Sequence, residues 1–360
     1  MKKKRLINLF AIAGLAFISI TLKAQDEFSK NISKSFQLKQ NSKLSVSNKY
    51  GNIDIRDWDK NEVKIDVEII VHDIDKEKAN RALNNVVIDF ATNDNEITAN
   101  TNYTDEFFNL VGKNNHTDNK KFEVNYKIML PPALSVKIEN KYGDVFVSKL
   151  NSSSYFDISY GNLQANELFA NAQEDMSEIS LSYSKGNIEK CKWLKLNLKY
   201  SKLSIEESKA LIVISKYSKL YVQKGSSIVS ESKYDTYEVG ALANFVTDAQ
   251  YSNFKFDAIV KKININTKYS DVRVIDIPSN FESIDIENSY GTINLGIADD
   301  ASYKLDGYAK YAKIEYPGNS NINEFQENNE FKVHGIVGRE TGSLPKVKID
   351  TKYGGVKLIK

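Results

Sequence analysis

Lysines are the residues of this sequence whose type and spacing could do chemistry together. Lys199, Lys216 and Lys233 recur every 17 residues, each directly before a tyrosine, while Lys202 and Lys219 stand two positions after such tyrosines. If successive repeats stack at the spacing of neighbouring strands, about 4.8 Å, the first three ammonium groups form one row. Such a row can hold an acidic glycan or another anionic surface polymer. The simpler interpretation, which the sequence favours, is that these lysines guard strand edges and extend into water.

Enzyme chemistry finds little support among the other reactive residues. His72, His116 and His334 lie too far apart in sequence for a metal-binding spacing, and the chain has one cysteine. The sequence contains no Gly-x-Ser-x-Gly elbow, no His-Glu-x-x-His helix and no phosphate loop. We therefore predict no catalytic residue, no cofactor site and no metal site. Cys191, which two lysines flank, is either buried or reactive, and burial is the commoner state of a free cysteine.

The first 24 residues are predicted to be an export signal. A basic head at residues 2–5 precedes an apolar stretch over residues 6–22, and we expect cleavage after Ala24. An uncleaved anchor is the alternative, although a bilayer span needs roughly 20 apolar residues. Cleavage lowers Lys+Arg from 49 to 44 against 47 acidic residues, which changes the net charge from +2 to −3. We therefore expect no nucleic-acid partner and no membrane span after cleavage, and a location in the periplasm or at the cell surface.

Tyrosines mark a repeat that extends through most of the chain. Most stand 17–23 residues apart, and glycine or serine usually follows them. The marking tyrosines are Tyr142, Tyr160, Tyr183, Tyr200, Tyr217, Tyr234, Tyr251, Tyr269, Tyr290, Tyr311 and Tyr353, with an earlier copy at Tyr50. The last interval, from Tyr311 to Tyr353, is 42 residues, which predicts one degenerate repeat without a tyrosine between them.

Apolar residues alternate with polar ones on both sides of each tyrosine. Around Tyr217 they are Leu211, Val213, Leu220 and Val222, and this period of two indicates strands with one buried face. Each repeat is thus two short strands joined at a Tyr-Gly or Tyr-Ser corner. A unit of this size cannot bury its own apolar face, so neighbouring copies must stack. The predicted fold class is all-β, a single-stranded, β-helix-like β-solenoid of roughly 17–21-residue coils. The period is half that of a β-propeller blade, and the leucine-rich repeat frame is missing.

A small α+β cap is expected before the regular coils. The predicted domains are the signal peptide at 1–24, a first coil around Tyr50 with an α+β insertion at 25–135, and the β-solenoid repeat domain at 136–360. Within the insertion we predict strands over 61–71, 86–90, 96–99 and 122–130, one helix within 73–85 with Asp73 or Asp75 as N-cap, and a loop over 101–120. The cap would cover strand edges that otherwise promote aggregation.

The direction of the tyrosine rings has two interpretations. The rings share the parity of the apolar positions, so they point inward and form a stacked ladder if the strand continues to them. Their hydroxyl groups would then find partners two residues earlier, at Asn140, Ser215, Ser232, Ala249, Thr267, Asn288 and Thr351. The alternative is an outward aromatic strip that stacks on sugar rings. The sequence favours the inward ladder.

The repeats carry a family resemblance. The strand that ends at Met129-Leu130-Pro131-Pro132 and the following Tyr-Gly-Asp-Val-x-Val units resemble the bacterial "putative adhesin" domains of unknown function, which are related to auto-transporter adhesin-head domains. The resemblance covers roughly residues 40–360, and the leader is similar to those of Bacteroidetes exported proteins. It implies a β-solenoid at the cell envelope with an adhesin-like role, and it supplies no functional residue. Tyr-Ser-Lys in place of Tyr-Gly-Asp in the middle coils indicates a different surface there.

We therefore expect an exported, non-catalytic envelope protein, an adhesin-like binding or scaffolding β-solenoid whose partner is an anionic glycan or another envelope component. One alternative is a periplasmic structural or sensor-partner module without glycan affinity. A second is a polysaccharide-active enzyme, although Arg56, Arg81, Arg273 and Arg339 lie on separated segments rather than in one cluster.

Overall fold

The computed structural model describes residues 26–73, 75–112, 121–170, 176–318, 320–339 and 342–358. Within these ranges the chain is all-β, as predicted: 26 strands join in one long, unclosed hydrogen-bonded sheet, accompanied by two short helices. No helix in these ranges has the length and apolar composition that crossing a bilayer requires. The predicted export signal lies outside the described residues.

Seven strands and two helices precede the regular repeats. They are β1 (Asp26–Gln37), β2 (Lys43–Lys49), β3 (Ile53–Asp57), β4 (Glu62–Asp73), α1 (Lys76–Asn84), β5 (Val86–Asn93), β6 (Glu96–Tyr103), α2 (Asp105–Val111) and β7 (Phe122–Leu130). β1, β4 and β7 pair antiparallel, while β3 pairs in parallel with both β7 and β9 (Val145–Leu150). This part of the chain thereby joins the antiparallel strands to the first regular repeat.

The two helices show one success and one error of the sequence prediction. Asp75 caps α1, since its carboxylate accepts hydrogen bonds from two backbone N–H groups of the first turn. The loop predicted over 101–120 is wrong in its described part, which continues β6 and then forms α2. Thr104 caps this helix, and Phe107 and Val111, one turn apart, are buried by it. Residues 113–120 lie outside the described residues.

The regular repeats stack in parallel and in register. Their strands are β8 (Ser135–Lys141), β9, β10 (Ser154–Ser159), β11 (Asn162–Leu168), β12 (Ser177–Ser182), β13 (Lys185–Lys199), β14 (Lys202–Lys216), β15 (Lys219–Lys233), β16 (Thr236–Gln250), β17 (Asn253–Lys268), β18 (Asp271–Ile277), β19 (Ser283–Ser289) and β20 (Ile293–Ile297). Each paired residue of β14 lies beside the residue 17 positions later in β15. Equivalent positions of successive repeats therefore form columns along the stack.

The inward columns form the core. Leu211, Ile228 and Phe245 occupy one such column and are at most 1% exposed. Full burial of an aliphatic or aromatic side chain stabilises a fold by roughly 1.5–3 kcal/mol, so each repeat gains stability mainly from the contacts with its two neighbours. The alternating pattern of the sequence identified these inward positions correctly.

The last part of the described chain departs from the simple order of repeats. Its strands are β21 (Tyr303–Lys310), β22 (Ile314–Glu315), β23 (Ser320–Glu327), β24 (Glu330–Val337), β25 (Lys346–Lys352) and β26 (Val356–Lys357). β25 lies between β19 and β21 and is parallel to both. β23 and β24 form an antiparallel hairpin beside β21.

The degenerate repeat predicted between Tyr311 and Tyr353 is therefore wrong. That stretch turns back on itself at Asn328, whose φ of 52° suits a tight hairpin turn, instead of continuing in parallel. The repeat of Tyr353 lies between those of Tyr290 and Tyr311. As a result, the order of repeats in space differs here from their order in sequence.

Candidate functional site

The tyrosine corners turn the rings outward. All twelve marking tyrosines have left-handed backbone conformations, with φ between 50° and 65°. The strand that precedes each of these tyrosines ends one residue before it, so the alternation of side chains stops there. Eleven of the rings are 39–50% exposed, and Tyr50 is half-buried against the N-terminal part. The expectation that the rings point inward is thus wrong, because the strand does not continue to the tyrosine.

The twelve rings form one continuous stack, which we call the tyrosine ladder. Neighbouring ring centroids lie 4.7–5.2 Å apart, and neighbouring ring planes meet at 1–20°. The rings cover each other's faces, so solvent meets ring edges and hydroxyl groups. The rings therefore point outward, as the alternative of an aromatic strip predicted. The ladder does not suit stacking on sugar rings, because a sugar would need a free ring face.

The residue after each tyrosine connects the repeats beneath the ladder. The backbone N–H of Ser184 donates to Oγ of Ser201 at 3.2 Å, and that of Ser201 donates to Oγ of Ser218 at 3.2 Å. Where this residue is glycine, the backbones approach more closely. A Cβ at Gly143 would lie 1.9 Å from the carbonyl oxygen of Gly51, a distance that no side chain tolerates.

The polar residues two positions before the tyrosines are buried, but their hydrogen bonds go to the corner backbone or to neighbouring buried side chains instead of the hydroxyl groups of the marking tyrosines. Nδ2 of Asn140 donates to the carbonyl oxygen of Gly51 at 3.0 Å, and Oγ1 of Thr351 donates to that of Gly354 at 2.6 Å. The expected pairing with tyrosine hydroxyl groups is wrong for these residues, because the rings have turned away from the interior.

Asp235 and Tyr237 form a buried polar group that the sequence reasoning missed. The Asp235 carboxylate accepts hydrogen bonds from Oγ of Ser215 at 2.7 Å, from Oγ of Ser232 at 2.8 Å and from the backbone N–H of Ser218 at 2.7 Å. Desolvation by burial nevertheless raises the pKa of Asp235. The Tyr237 hydroxyl group contacts Ser215 Oγ at 2.7 Å. The sequence signal that could have revealed this group is the Tyr-Asp corner, which replaces the Tyr-Ser corner of the neighbouring repeats.

The structure brings Lys199, Lys216 and Lys233 into one row, which we call the lysine row. Parallel pairing places Lys216 between the other two, and all three are exposed. In the parts of the chain that the structure describes, their ammonium groups form no ion pair. Two of them lie against the tyrosine ladder instead: Nζ of Lys216 is 5.3 Å from the ring centroid of Tyr217, and Nζ of Lys233 is 5.7 Å from that of Tyr234.

Lys202 and Lys219 lie on the other side of the ladder, beside each other on β14 and β15. Lys185 on β13, which the sequence reasoning did not single out, extends this second row. Positive charge therefore flanks the middle of the tyrosine ladder on both sides. Ligand binding by any of these lysines stays a prediction.

An open groove of 740 Å³ runs along the lysine row. Residues of six consecutive repeats line it, from β10 to β16, and they include Lys199, Lys216, Lys233, Asn197, Glu231 and Asp248. Ile214, which is 46% exposed, lies in the same groove, and the exposed side chains of Ile212 and Val229 adjoin it on the same face. The groove therefore combines cations, acceptor groups and aliphatic surface.

Reactive groups elsewhere in the described chain are dispersed or shielded. Cys191 is 4% exposed, and burial raises the pKa of its thiol to about 12, so the thiol stays protonated and buried. No group of three or more His, Cys, Asp or Glu side chains within the described ranges could hold a metal ion.

Two solved structures are among those similar to this chain. No protein-family profile and no curated protein sequence matches the chain. A crystal structure titled as a putative cell adhesion protein from Clostridium sporogenes is 12% identical, with a TM-score of 0.24, over 92% of this chain and 98% of that one. A structure titled as a putative adhesin from Parabacteroides merdae is 10% identical, with a TM-score of 0.27, over 73% of this chain and 95% of that one. Identities and TM-scores this low carry no argument about the function of this chain.

Proposed function

We propose that the chain is an exported, non-catalytic β-solenoid that acts as an adhesin-like binding protein at the bacterial envelope, and that its ligand is an anionic glycan. The observation that carries the binding role is the lysine row. Like charges directly beside each other on neighbouring strands destabilise a sheet, by a few tenths of a kcal/mol per pair. An anionic polymer along the row would offset this repulsion, and Lys202 and Lys219 would add attraction from the other side of the ladder.

The location of the row also supports this role. The ammonium groups stand at an exposed edge of the stack, where a long ligand can approach without entering the core. Exposed pairs contribute little individually, about 0.2–1 kcal/mol each, so binding would require several repeats at once. Repeated weak contacts along a rod suit a polymeric ligand better than a small molecule.

The test is the combined variant Lys199→Gln/Lys216→Gln/Lys233→Gln, applied to an acidic polysaccharide column at low salt. We expect retention to be lost, or to end at a clearly lower salt concentration than for the unchanged chain. The matched control is Lys190→Gln/Lys209→Gln/Lys224→Gln, which removes the same charge from exposed lysines at the opposite edge of the same repeats. Equal retention of the two variants would refute the proposed role of the row.

The proposed location is the cell surface. Intact cells would be treated with an amine reagent that does not cross the outer membrane, since exposed lysines are abundant in the repeats. Labelling of the protein is expected. If only broken cells give a labelled protein, the chain is periplasmic and the adhesin-like role fails.

A further inference from the structure

The groove beside the lysine row contains a second column with different chemistry. Asn197, Ile214, Glu231 and Asp248 are paired in register along the stack. Asn197, Ile214 and Glu231 stand two residues before the lysines of the row, and side chains two apart on a strand point to the same face. A ligand in the groove would therefore meet both columns at once.

The second column can accept hydrogen bonds from hydroxyl groups. Glu231 and Asp248 are exposed, and ionised carboxylates act only as acceptors. Asp248 already takes a hydrogen bond from Nδ2 of Asn266 at 3.2 Å, which leaves further acceptor sites on its oxygens. Neither carboxylate forms an ion pair with the lysine row within the described chain. They repel dense negative charge and attract hydroxyl groups.

An aliphatic surface adjoins the groove on the side away from the lysine row. Ile212 and Val229 lie beside each other on β14 and β15 and are 41% and 47% exposed. Ile214 connects them to the polar columns. Such a surface suits the C–H faces of sugar rings, and it offers nothing to a polyphosphate.

From the lysine row, the second column and the aliphatic surface we infer the class of the ligand and its orientation on the stack. The geometry points to a linear polysaccharide with one carboxylate per sugar residue, which lies along the stack with its carboxylates on the lysine row and its hydroxyl groups on the second column. This inference rests on the proposed function. Successive repeats are 4.8–4.9 Å apart at the ladder, which is close to the length of one sugar residue in an extended chain, so each repeat meets one residue of the ligand.

The experiment compares four probes on the full chain at one ionic strength: polygalacturonate, dextran sulfate, polyphosphate and uncharged dextran. We expect polygalacturonate to bind at least tenfold more tightly than the two denser polyanions, and dextran not to bind. Glu231→Gln/Asp248→Asn removes the repulsion and keeps the side-chain size. It should reduce the preference for polygalacturonate over dextran sulfate about tenfold, which corresponds to about 1.4 kcal/mol.

The outcomes separate the inference from the proposed function. If binding follows charge density, with dextran sulfate and polyphosphate ahead, the inference is overturned and the proposed function stands. If no acidic probe binds, both are overturned. An unchanged preference in the double variant, with circular dichroism equal to that of the unchanged chain, overturns the role of the second column.

Discussion

Removal of one ring from the middle of the tyrosine ladder should destabilise the whole stack of repeats. Tyr217 stacks on Tyr200 at 4.9 Å and on Tyr234 at 4.8 Å. An aromatic pair contributes about 0.5–1.5 kcal/mol beyond its buried area, so the two contacts contribute about 1–3 kcal/mol together. The ring is 42% exposed, and loss of its buried part adds about 1–2 kcal/mol. We expect Tyr217→Ala to lower the free energy of unfolding by about 3 kcal/mol.

The backbone conformation gives a sharper comparison. The φ of Tyr217 is 53°, which costs a residue with a Cβ roughly 1 kcal/mol relative to glycine. Tyr217→Gly loses the same ring contacts but relieves this strain. Glycine also raises the entropy of the unfolded state, which offsets part of this gain, so the glycine variant should be more stable than the alanine variant by up to about 1 kcal/mol.

The measurement is urea unfolding of the full chain followed by circular dichroism. Tyr311→Ala is the internal control, because among the described residues Tyr311 stacks on Tyr353 alone, at 4.8 Å, and should lose about half as much stacking energy. A loss below 0.5 kcal/mol for Tyr217→Ala, on the order of a neutral surface change, would refute the stabilising role of the ladder. A glycine variant less stable than the alanine variant would refute the strain argument.

Further predictions concern the corners, the thiol and the buried carboxylate. Gly143→Ala should destabilise the chain by more than about 2 kcal/mol or prevent folding, since the new Cβ meets backbone, whereas Gly318→Ala meets open space and should be neutral in the same urea assay. Cys191 should not react with a thiol reagent until the chain unfolds, and fast labelling under native conditions would contradict its burial. Burial raises the pKa of Asp235, so the folded state holds this proton more tightly than the unfolded state does. The free energy of unfolding should therefore fall as the pH rises from about 3.9 to the raised pKa of the folded state. Asp235→Ser restores the Tyr-Ser corner of the neighbouring repeats and should abolish this fall when unfolding is measured as a function of pH.

The sequence was sufficient to predict the repeats, because the alternation of apolar and polar residues directly indicates which side chains are buried. Leu211 and Val213, before the tyrosine, and Leu220 and Val222, after it, lie in the core as predicted. The alignment of Lys199, Lys216 and Lys233 followed from the 17-residue period alone, because parallel stacking in register places equal positions side by side.

The direction of the tyrosine rings could not be read in the same way. The following glycine or serine indicates a turn, but it does not indicate that the tyrosine itself adopts a positive φ, which residues other than glycine seldom do. The hairpin of β23 and β24 was missed for a related reason. An interval of 42 residues fits two parallel repeats as well as one hairpin, and alternation is the same in parallel and antiparallel strands.

A crystal structure of the chain with a short galacturonate oligomer tests the central claim most directly. We expect the oligomer to lie along the stack in the groove, with carboxylates within ion-pair distance of at least two of Lys199, Lys216 and Lys233. An oligomer that lies across the stack instead of along it, or on another face of the repeats, would contradict the account.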